Sequence, residues 1–417
     1  MIQIKNSLIY IIFLVFMAIL ILNIDTLMIN TYNFVSYDLF DPYFDMMMGL
    51  IWFILFSLII SKTMEKEYLI IWLIKAFVTL IIMLPYEAHY KLDAYVYFSA
   101  AIDINNTSIS GNSTLYMAYL NHYLSYILGE SYQSLKLFHS FIGFLGLVLL
   151  FKSFEIILKE SGVKLNQLYI YFFFLFPTIL FWSSILGKDP INLFVIGLIF
   201  YSIINMIKTF EFKYLIIFCL MIIGIYFIRY WYVGILLLTV VMYLSYINIF
   251  KKNWYLFISF AILLSIIVSS MDNIYSQIIL DKLNSFSNNF SFGGSRTDTY
   301  DYTTLSDFFY YFIPNLFTTL FRPMLFDITN AFTFISACEN IVLFLLVVKY
   351  IVLNIKDLVK NKYIVFLLFY IFSWLLFYVL VSPGNLGTAI RFKLQVLPII
   401  LIVIGYSIHM KISIKVV

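Results

Sequence analysis

The sequence predicts an all-α integral membrane protein, and three properties of the chain lead to that prediction. Of the 417 residues, 63% are hydrophobic and only 12% are charged, and the mean hydropathy is +0.97. Soluble domains carry about 25% charged residues. The apolar residues also fall into windows of roughly 18 to 22 residues, each long enough to cross about 30 Å of hydrocarbon as a helix. We therefore expect residues 1–417 to form a single polytopic membrane domain.

Apolar windows of membrane-spanning length recur along the whole chain, and about twelve of them predict transmembrane helices. The first follows a single lysine and lacks a small-residue cleavage site, so it predicts a retained span and not a signal peptide. The windows cover residues 8–28, 46–61, 68–85, 136–158, 167–186, 190–207, 213–228, 233–250, 254–271, 331–353, 363–382 and 394–410.

Lysine and arginine are distributed differently among the connectors between these windows. Lysine-rich connectors, such as LKESGVK and IKDLVKNK, alternate with connectors nearly free of lysine. Since lysine-rich loops stay in the cytoplasm, this alternation predicts that both chain termini are cytoplasmic. The same topology places the four arginines on the outer side: Arg229, Arg296, Arg322 and Arg391.

Arginine on the outer side is informative because its planar guanidinium binds phosphate through two parallel hydrogen bonds, whereas lysine acts as a point charge. The positive-inside tendency acts against outer arginines, so their position predicts an anionic ligand. A compositional bias toward lysine, together with chance, is the alternative explanation of the same distribution.

Two outer segments are long, residues 86–135 and residues 272–330, and both keep a high density of tyrosine, phenylalanine and leucine. We expect them to contain interfacial helices, because aromatic residues accumulate at the membrane surface. In SDFFYYFIPNLFTTLFRPMLFD, Pro314 and Pro323 are expected to interrupt such a helix, which puts Arg322 at headgroup depth. The alternative is an anchor whose Arg322 reaches a lipid phosphate.

The first long segment contains carboxylates among tyrosines, in PYEAHYKLDAYVYFSAAIDINN. In a helix, Asp93, Tyr97 and Ala100 align on one face. Tyrosine rings stack against sugars while acids accept protons from hydroxyl groups, so this pattern indicates sugar binding and makes Asp93 a candidate base. A tyrosine-rich membrane interface has the same composition.

Three charged residues near the outer ends of predicted spans are further candidates. In LGKDP, Asp189 is placed to cap the next helix, and Lys188 is one of the few outer lysines. Arg229 in FIRYWYVG lies close to the hydrocarbon, where a charge is costly unless it meets an anion. Glu339 lies inside an apolar window and should either pair with an arginine or act as a buried acid or base.

The stretch GNLGTAIRFKLQVLP, residues 384–398, combines a glycine-rich outer turn with two cations. Thr388 to Phe392 are expected to open the last helix, so that backbone N–H groups, with Arg391 and Lys393 one turn in, form an anion site that fits a diphosphate. Lys393 lies about 200° around the helix from Arg391, so we expect it to point elsewhere and to tolerate alanine better.

Several classes of site are not expected from this sequence. It has no Walker, HExxH or GxSxG motif, and its two cysteines, Cys219 and Cys338, lie inside predicted spans. ATP hydrolysis, a zinc site and a disulfide framework are therefore not indicated, and no cofactor or nucleic-acid partner is expected. The acidic cluster YDLFDPYFD offers Asp38, Asp41 and Asp45 to a divalent cation, although that spacing alone is a weak metal signal.

Taken together, GKDP, the arginine in IRYWY, the run LFRPMLFDITNAFTFISACEN and GNLGTAIRFKLQVLP resemble the Wzy-type polymerases of O-antigen and capsule repeat units. The resemblance covers roughly the second half of the chain. It implies transfer of a growing glycan from undecaprenyl diphosphate to another lipid-linked repeat unit, at the outer face of the bacterial cytoplasmic membrane. The partners it implies are an undecaprenyl-diphosphate-linked oligosaccharide, membrane lipid, a chain-length regulator and a flippase.

The candidate residues fit that chemistry, because the lipid diphosphate is already an activated leaving group and neither nucleotide nor metal is required. The protein has to neutralise the departing diphosphate and deprotonate an acceptor hydroxyl. The residues we expect are, for the diphosphate, Arg229, Arg322 and Arg391, with Lys188 and Arg296 in second rank, and, for the hydroxyl, Glu339 or Asp93.

Other functions stay open at this point. A GT-C type glycosyltransferase would use a polyprenyl-phosphate sugar and an acidic first outer loop with a metal, for which residues 37–45 are the support. A lipid-linked oligosaccharide flippase or another transporter would line a central cavity with charge, whereas the charges here concentrate on one face. A structural partner of a polysaccharide machine would not depend on any single outer arginine.

Overall fold

The computed structural model describes residues 42–89, 93–102, 112–247, 303–379 and 384–416, with residues 281, 284, 285 and 288. Within these ranges the chain is α-helical, with short 3-10 and π turns and no β-strand, as the sequence predicts. The chain divides into two compact units. Unit 1 comprises Met1–Leu149, Leu168–Phe200 and Ile217–Ile228, and unit 2 comprises Leu150–Gln167, Tyr201–Ile216 and Arg229–Val417.

The first half of the chain forms a series of helices of very different lengths. They are α1 (Pro42–Thr63), α2 (Lys66–Phe77), α3 (Met83–His89), α4 (Asp93–Ile102), α5 (Asn112–Leu128), α6 (Tyr132–Glu160), α7 (Leu168–Phe174), α8 (Pro177–Trp182), α9 (Lys188–Lys208) and α10 (Phe212–Ile228). A π-helical turn over Val78–Ile82 joins α2 to α3.

The second half continues with helices that surround the candidate site. They are α11 (Trp231–Ser245), α12 (Leu305–Phe321), α13 (Ala331–Leu346), α14 (Ile355–Leu358), α15 (Lys362–Tyr378), α16 (Leu386–Lys393) and α17 (Leu397–Val416). A 3-10 turn, Leu325–Asp327, follows α12, and π and 3-10 turns extend α13 toward α14.

Four described helices are long and apolar enough to cross a membrane: Tyr43–Thr63, Tyr132–Glu160, Lys188–Lys208 and Ala331–Leu358. The bent pair α16 and α17 is a fifth candidate, and α10, α11 and α15 are apolar but shorter. The predicted windows at 8–28 and 254–271 lie outside the described residues. Apolar helices thus indicate a membrane-embedded protein, while the count of about twelve spans stays a prediction.

Helix α10 gives the plainest indication of a membrane environment. Within it only Ile225 is buried, whereas Leu220, Ile223 and Tyr226 are each more than half exposed. An exposed helix that is apolar on every side is typical of a hydrocarbon environment.

Proline changes two of the predicted elements. The window 167–186 predicts one span, but it forms two short helices, α7 and α8. Proline lacks the N–H that a continuing helix needs and suits the first turn of a new one, so α8 begins at Pro177. In α12 the chain stays helical through Pro314, which was expected to interrupt it, and ends at Phe321 before Pro323. Packing of α12 against α13, α15 and α16 offsets the lost backbone hydrogen bond.

In unit 1 the described parts of the long segment 86–135 are helical and contribute to the core. Helix α4 packs against α5, and Tyr97 and Met117 are buried in one cluster with Tyr132 of α6. The predicted helical face is therefore present, with Tyr97 on its buried side, although Asp93 itself is exposed.

Unit 1 also buries an ion pair and a hydrogen-bonded carboxylate. Lys136 Nζ lies 2.8 Å from Glu87 Oε2, and neither side chain is exposed. Asp45 accepts hydrogen bonds from Ser131 Oγ at 2.6 Å and from the backbone N–H of Gln133 at 3.1 Å. Because a charge in the interior has no water to solvate it, each carboxylate is held by a partner at the start of α6.

Helices α6 and α9 approach each other closely because both carry glycine where they cross. A Cβ atom at Gly146 would lie 2.6 Å from the Leu193 carbonyl oxygen, and one at Gly197 would lie 2.5 Å from the Gly146 carbonyl oxygen. Both distances are too short for a methyl group, so backbone contact replaces side-chain packing at this crossing.

We predict that Gly146→Ala destabilises the protein, because its methyl group would force the two backbones apart at a cost of about 1 to 3 kcal/mol. Gly224→Ala is the matched control, since a Cβ atom there meets nothing within 4 Å. Alanine also favours that helix by about 1 kcal/mol over glycine. Thermal unfolding of the purified protein in detergent measures both variants, and equal unfolding temperatures would contradict the close crossing.

Candidate functional site

The candidate site of unit 2 is arranged around the short helix α16. Asn385 precedes this helix, and its Oδ1 accepts a hydrogen bond from the backbone N–H of Thr388 at 3.0 Å, which caps the helix. Helix α16 ends at Lys393 and is bent by 56° from α17. The expectation that Thr388 and the following residues open the last long helix is therefore corrected, because they form a separate helix of about two turns.

Lys393 lies at the centre of a buried polar cluster. Its Nζ donates a hydrogen bond to Asn340 Oδ1 at 2.6 Å, and Asn340 Nδ2 donates to the Pro323 carbonyl at 2.9 Å. Lys393 has no exposed surface. The expectation that it points away from the site and tolerates alanine does not fit this position, since its ammonium joins α16 to α13 and to the residue after Arg322.

Glu339 lies beside this cluster on α13 and is 6% exposed. It interacts electrostatically with Lys393. The sequence predicts an arginine partner for Glu339, or a role as a buried acid or base, and the structure supplies a lysine as the nearby cation. Two opposite charges inside apolar helices compensate each other, which lowers the cost of burying both.

Arg229 reaches the same helix from the turn between α10 and α11. Its guanidinium carbon lies 4.6 Å from the centre of the Phe392 ring, and the residue is only 4% exposed. Arg229 also interacts with the hydroxyl of Tyr378. Contact with an aromatic face stabilises a desolvated guanidinium by about 2 kcal/mol. The arginine is thus held beside α16 within an apolar and aromatic surrounding.

Arg322 follows α12 and is held by a carboxylate of its own loop. Its Nε and Nη2 donate to the two oxygens of Asp327, at 3.0 Å and 2.5 Å. Burial alone would raise the pKa of Asp327, but hydrogen bonds from Arg322 and from the backbone N–H of Met324 lower that pKa below its usual value. The Nε–Nη2 edge of the guanidinium is therefore engaged, and an anionic ligand would have to displace Asp327 to bind at that edge.

Arg391 lies on α16 itself, two residues before Lys393, and is partly exposed. Helix α12 packs against α16, and Arg322 is the residue that follows α12. Four of the residues that the sequence predicts for the site are therefore associated with this one short helix and its immediate neighbours: Arg229, Arg322, Glu339 and Arg391.

The remaining predicted residues are found elsewhere in the chain. Asp93 and Lys188 belong to unit 1. Lys188 Nζ donates to Ser113 Oγ at 2.9 Å and lies 5.5 Å from the centre of the Tyr97 ring, on the helix that Asp93 begins. Arg296 lies outside the described residues.

Gln395 holds the bend between α16 and α17. Its Oε1 accepts hydrogen bonds from the Tyr378 hydroxyl at 2.8 Å and from Trp374 Nε1 at 3.3 Å, and its backbone carbonyl accepts one from the Tyr370 hydroxyl at 2.9 Å. Trp231 Nε1 donates to the Tyr378 hydroxyl at 3.2 Å. Helices α11 and α15 therefore fix the direction of α16, and with it the position of its cations.

Two lysine-rich segments of unit 2 meet at the start of α15, which is the end of this helix away from α16. Asn361, just before α15, donates from Nδ2 to Ser161 Oγ at 2.7 Å and to the Tyr406 hydroxyl at 3.0 Å. Tyr363 lies at this end of α15 and Tyr378 lies at the other, next to α16, so about 23 Å of helix separates the two regions. Within unit 2, the arginine-bearing and lysine-bearing ends are distinct.

Metal ligands are not gathered in the part of the chain that the structure describes, where no group of three or more histidine, cysteine, aspartate or glutamate side chains could hold an ion. Of the acidic cluster at 37–45, Asp38 and Asp41 fall outside the described residues, and Asp45 is bound by Ser131 and Gln133.

Asn340 and Gln395 were not predicted from the sequence, and neither was the buried contact between Lys393 and Asn340. A usable signal was present for Lys393 and Asn340. Lys393 lies next to an apolar window, and Asn340 lies inside one beside Glu339. Because polar side chains in apolar helices have to find partners within the protein, opposite charges at such positions are candidates for each other.

Comparison of the chain with protein-family models, with curated proteins and with solved structures gave no match. We therefore infer its function from the residues of the site.

Proposed function

We propose that this protein polymerises surface-polysaccharide repeat units, by transferring a glycan from a lipid diphosphate to another lipid-linked repeat unit at the outer face of the bacterial cytoplasmic membrane. The supporting observation is that three arginines and a buried glutamate, far apart in sequence, are associated with one short helix among apolar helices. Cations suit the diphosphate and a carboxylate suits the acceptor hydroxyl.

The proposed reaction needs a base for the acceptor hydroxyl and cations for the leaving diphosphate, and it needs no nucleotide. The acceptor hydroxyl oxygen attacks the first sugar carbon of the donor glycan, while the bond from that carbon to the diphosphate oxygen breaks. The hydroxyl proton passes to the base, and the diphosphate departs with the extra negative charge. A positioned base contributes about 10²- to 10⁴-fold, and preorganised cations stabilise the charge that develops on the leaving group.

Glu339 is the residue we assign as the base. Its electrostatic interaction with Lys393 places a cation beside the carboxylate that would accept the proton. Lys393 is in turn oriented by its hydrogen bond to Asn340. In this assignment Lys393 is a positioning residue and does not contact the substrate.

The arginines are assigned to the diphosphate in order of accessibility. Arg391 is partly exposed and is the first to meet the ligand, whereas Arg229 is buried against Phe392 and adds positive potential behind it. Arg322 contributes a bidentate contact when the diphosphate takes the place of Asp327.

The separation of arginine and lysine supports a reaction confined to one membrane face. The two ends of unit 2 lie about 23 Å apart along α15, which approaches the roughly 30 Å thickness of the hydrocarbon layer. A transporter would distribute its charges along a path between the two ends, whereas the arginines and the lysine-rich connector of unit 2 lie at opposite ends of α15.

The direct test compares lipid-linked glycan from cells with and without the protein, separated on a gel. A polymerase predicts that the ladder of repeat-unit multiples collapses to a single repeat unit when the protein is absent. Loss of one side-branch sugar from an intact ladder would instead support the glycosyltransferase that uses a polyprenyl-phosphate sugar. An unchanged ladder would exclude both.

We predict that Glu339→Gln abolishes the ladder at matched levels of folded protein. Glutamine keeps the shape of the side chain but cannot accept the hydroxyl proton, so transfer should slow by about 10²- to 10⁴-fold. Glu211→Gln is the control, because Glu211 is exposed and contacts Lys213 and Thr209 at the surface. A wild-type ladder from Glu339→Gln at matched protein levels would remove Glu339 from the reaction.

We predict that Arg391→Lys slows transfer by roughly 10- to 150-fold, because lysine keeps the charge and loses the bidentate fork. The unfolding temperature should change little, since Arg391 is partly exposed. Lys393→Met should instead lower the unfolding temperature. It leaves Asn340 without its buried partner, at a cost of about 1 to 3 kcal/mol. Wild-type rates for Arg391→Lys would show that α16 does not bind the diphosphate.

A further inference from the structure

A cleft of about 520 Å³ lies at the lysine-bearing end of unit 2. It is formed by the residues at the end of α6, at the start of α15 and in the later turns of α17. Its volume is that of a small-molecule site. It lies about 23 Å along α15 from the residues next to α16, so its occupant does not depend on the function proposed above.

The carboxylates of this cleft are already held by lysines. Lys208 Nζ lies 3.0 Å from Glu160 Oε1, and Lys360 Nζ lies 2.7 Å from Asp357 Oδ1. Lys362 Nζ donates one hydrogen bond, to a backbone carbonyl of α9 at 3.1 Å. An ammonium group has three N–H donors, so Lys360 and Lys362 each keep donors for a ligand. Each carboxylate of the cleft therefore has a lysine partner, and Lys362 is a cation beyond these two pairs.

Two buried tyrosines add further donors. The Tyr406 hydroxyl accepts a hydrogen bond from Asn361 and keeps its own proton to donate. Tyr363 is 4% exposed and lines the cleft, and its hydroxyl makes no hydrogen bond with the residues that the structure describes. A tyrosine hydroxyl carries one O–H donor, so Tyr363 can donate a hydrogen bond to an acceptor in the cleft.

We infer that this cleft binds a phosphate-bearing anion, which is either the headgroup of an anionic lipid or a soluble phosphate. A phosphate group offers several oxygens, so it accepts hydrogen bonds from ammonium groups and from tyrosine hydroxyls at the same time. The start of α15, a helix of 17 residues, adds a partial positive charge at the same point. A cation would meet only acidic groups that lysines already neutralise.

Native mass spectrometry of the purified full-length protein in detergent tests this site. The probes are phosphatidylglycerol, phosphatidylcholine as the lipid without net charge, and inorganic phosphate. We expect wild-type protein to retain one tightly bound phosphatidylglycerol or phosphate. Lys362→Gln should weaken that binding by about 10-fold or more, and Tyr363→Phe by about 3- to 10-fold. Lys356→Gln is the matched control, because Lys356 is an exposed lysine of the same connector outside the cleft.

The outcomes separate the two sources of the anion. Binding of phosphatidylglycerol without inorganic phosphate identifies a lipid headgroup, and binding of inorganic phosphate identifies a soluble anion. The inference is overturned if neither probe binds, if phosphatidylcholine binds equally well, or if Lys356→Gln weakens binding as much as Lys362→Gln does. If Lys362→Gln folds poorly, Tyr363→Phe still tests the site, because this substitution removes only the hydroxyl oxygen of Tyr363.

Discussion

The burial of Lys393 is the constraint on which the arrangement of unit 2 depends. An ammonium group with no exposed surface has to be solvated by the protein, or its burial costs several kcal/mol. Asn340 supplies an oxygen at 2.6 Å and Glu339 supplies compensating charge. Asn340 also binds the Pro323 carbonyl at 2.9 Å. One lysine therefore fixes α13, α16 and the residue after Arg322 with respect to each other, and the predicted site residues follow from those positions.

Unit 1 meets the same constraint in two other ways, which shows that a buried lysine does not define a site by itself. Lys136 is neutralised by Glu87 at 2.8 Å. Lys75 is held by uncharged oxygens alone, the hydroxyl and carbonyl of Ser183 and the hydroxyl of Ser184, at 2.6 to 3.0 Å. What distinguishes Lys393 is its surroundings, since its helix carries Arg391 and its neighbour in sequence contacts a second arginine.

The sequence predicted individual charges better than it predicted their partners. A charge in or near an apolar window is visible in the sequence, which is why Arg229 and Glu339 were recognised. The partner of Glu339 could not be derived in the same way, because the direction of α16 is set by Gln395 and by side chains of α11 and α15 that are distant in sequence. Arg391 and Lys393 both lie in α16, before the bend, and they differ in exposure as their spacing predicts. The spacing gave no information on the partners of Lys393.

Contacts distant in sequence also decide the effect of proline on the predicted helices. Windows such as 136–158 and 190–207 correspond closely to α6 and α9, because long apolar runs determine helices through local sequence alone. Pro177 and Pro314 carry the same local penalty, yet one begins a new helix and the other lies within a continuous one. Tertiary packing decides between these outcomes, and in α12 the contacts with α13, α15 and α16 outweigh the local cost.

The pair formed by Arg322 and Asp327 bears on how a diphosphate site could release its product. A fork already held by two hydrogen bonds is aimed before any ligand arrives, so it loses little freedom on binding. The lowered pKa keeps Asp327 ionised near neutral pH, so the carboxylate competes with the diphosphate at every stage. Competition weakens binding of donor and product alike, while the transition state, which gathers more charge on the leaving oxygen, displaces Asp327 most effectively. In the proposed reaction this internal anion therefore favours turnover over tight binding of the lipid diphosphate.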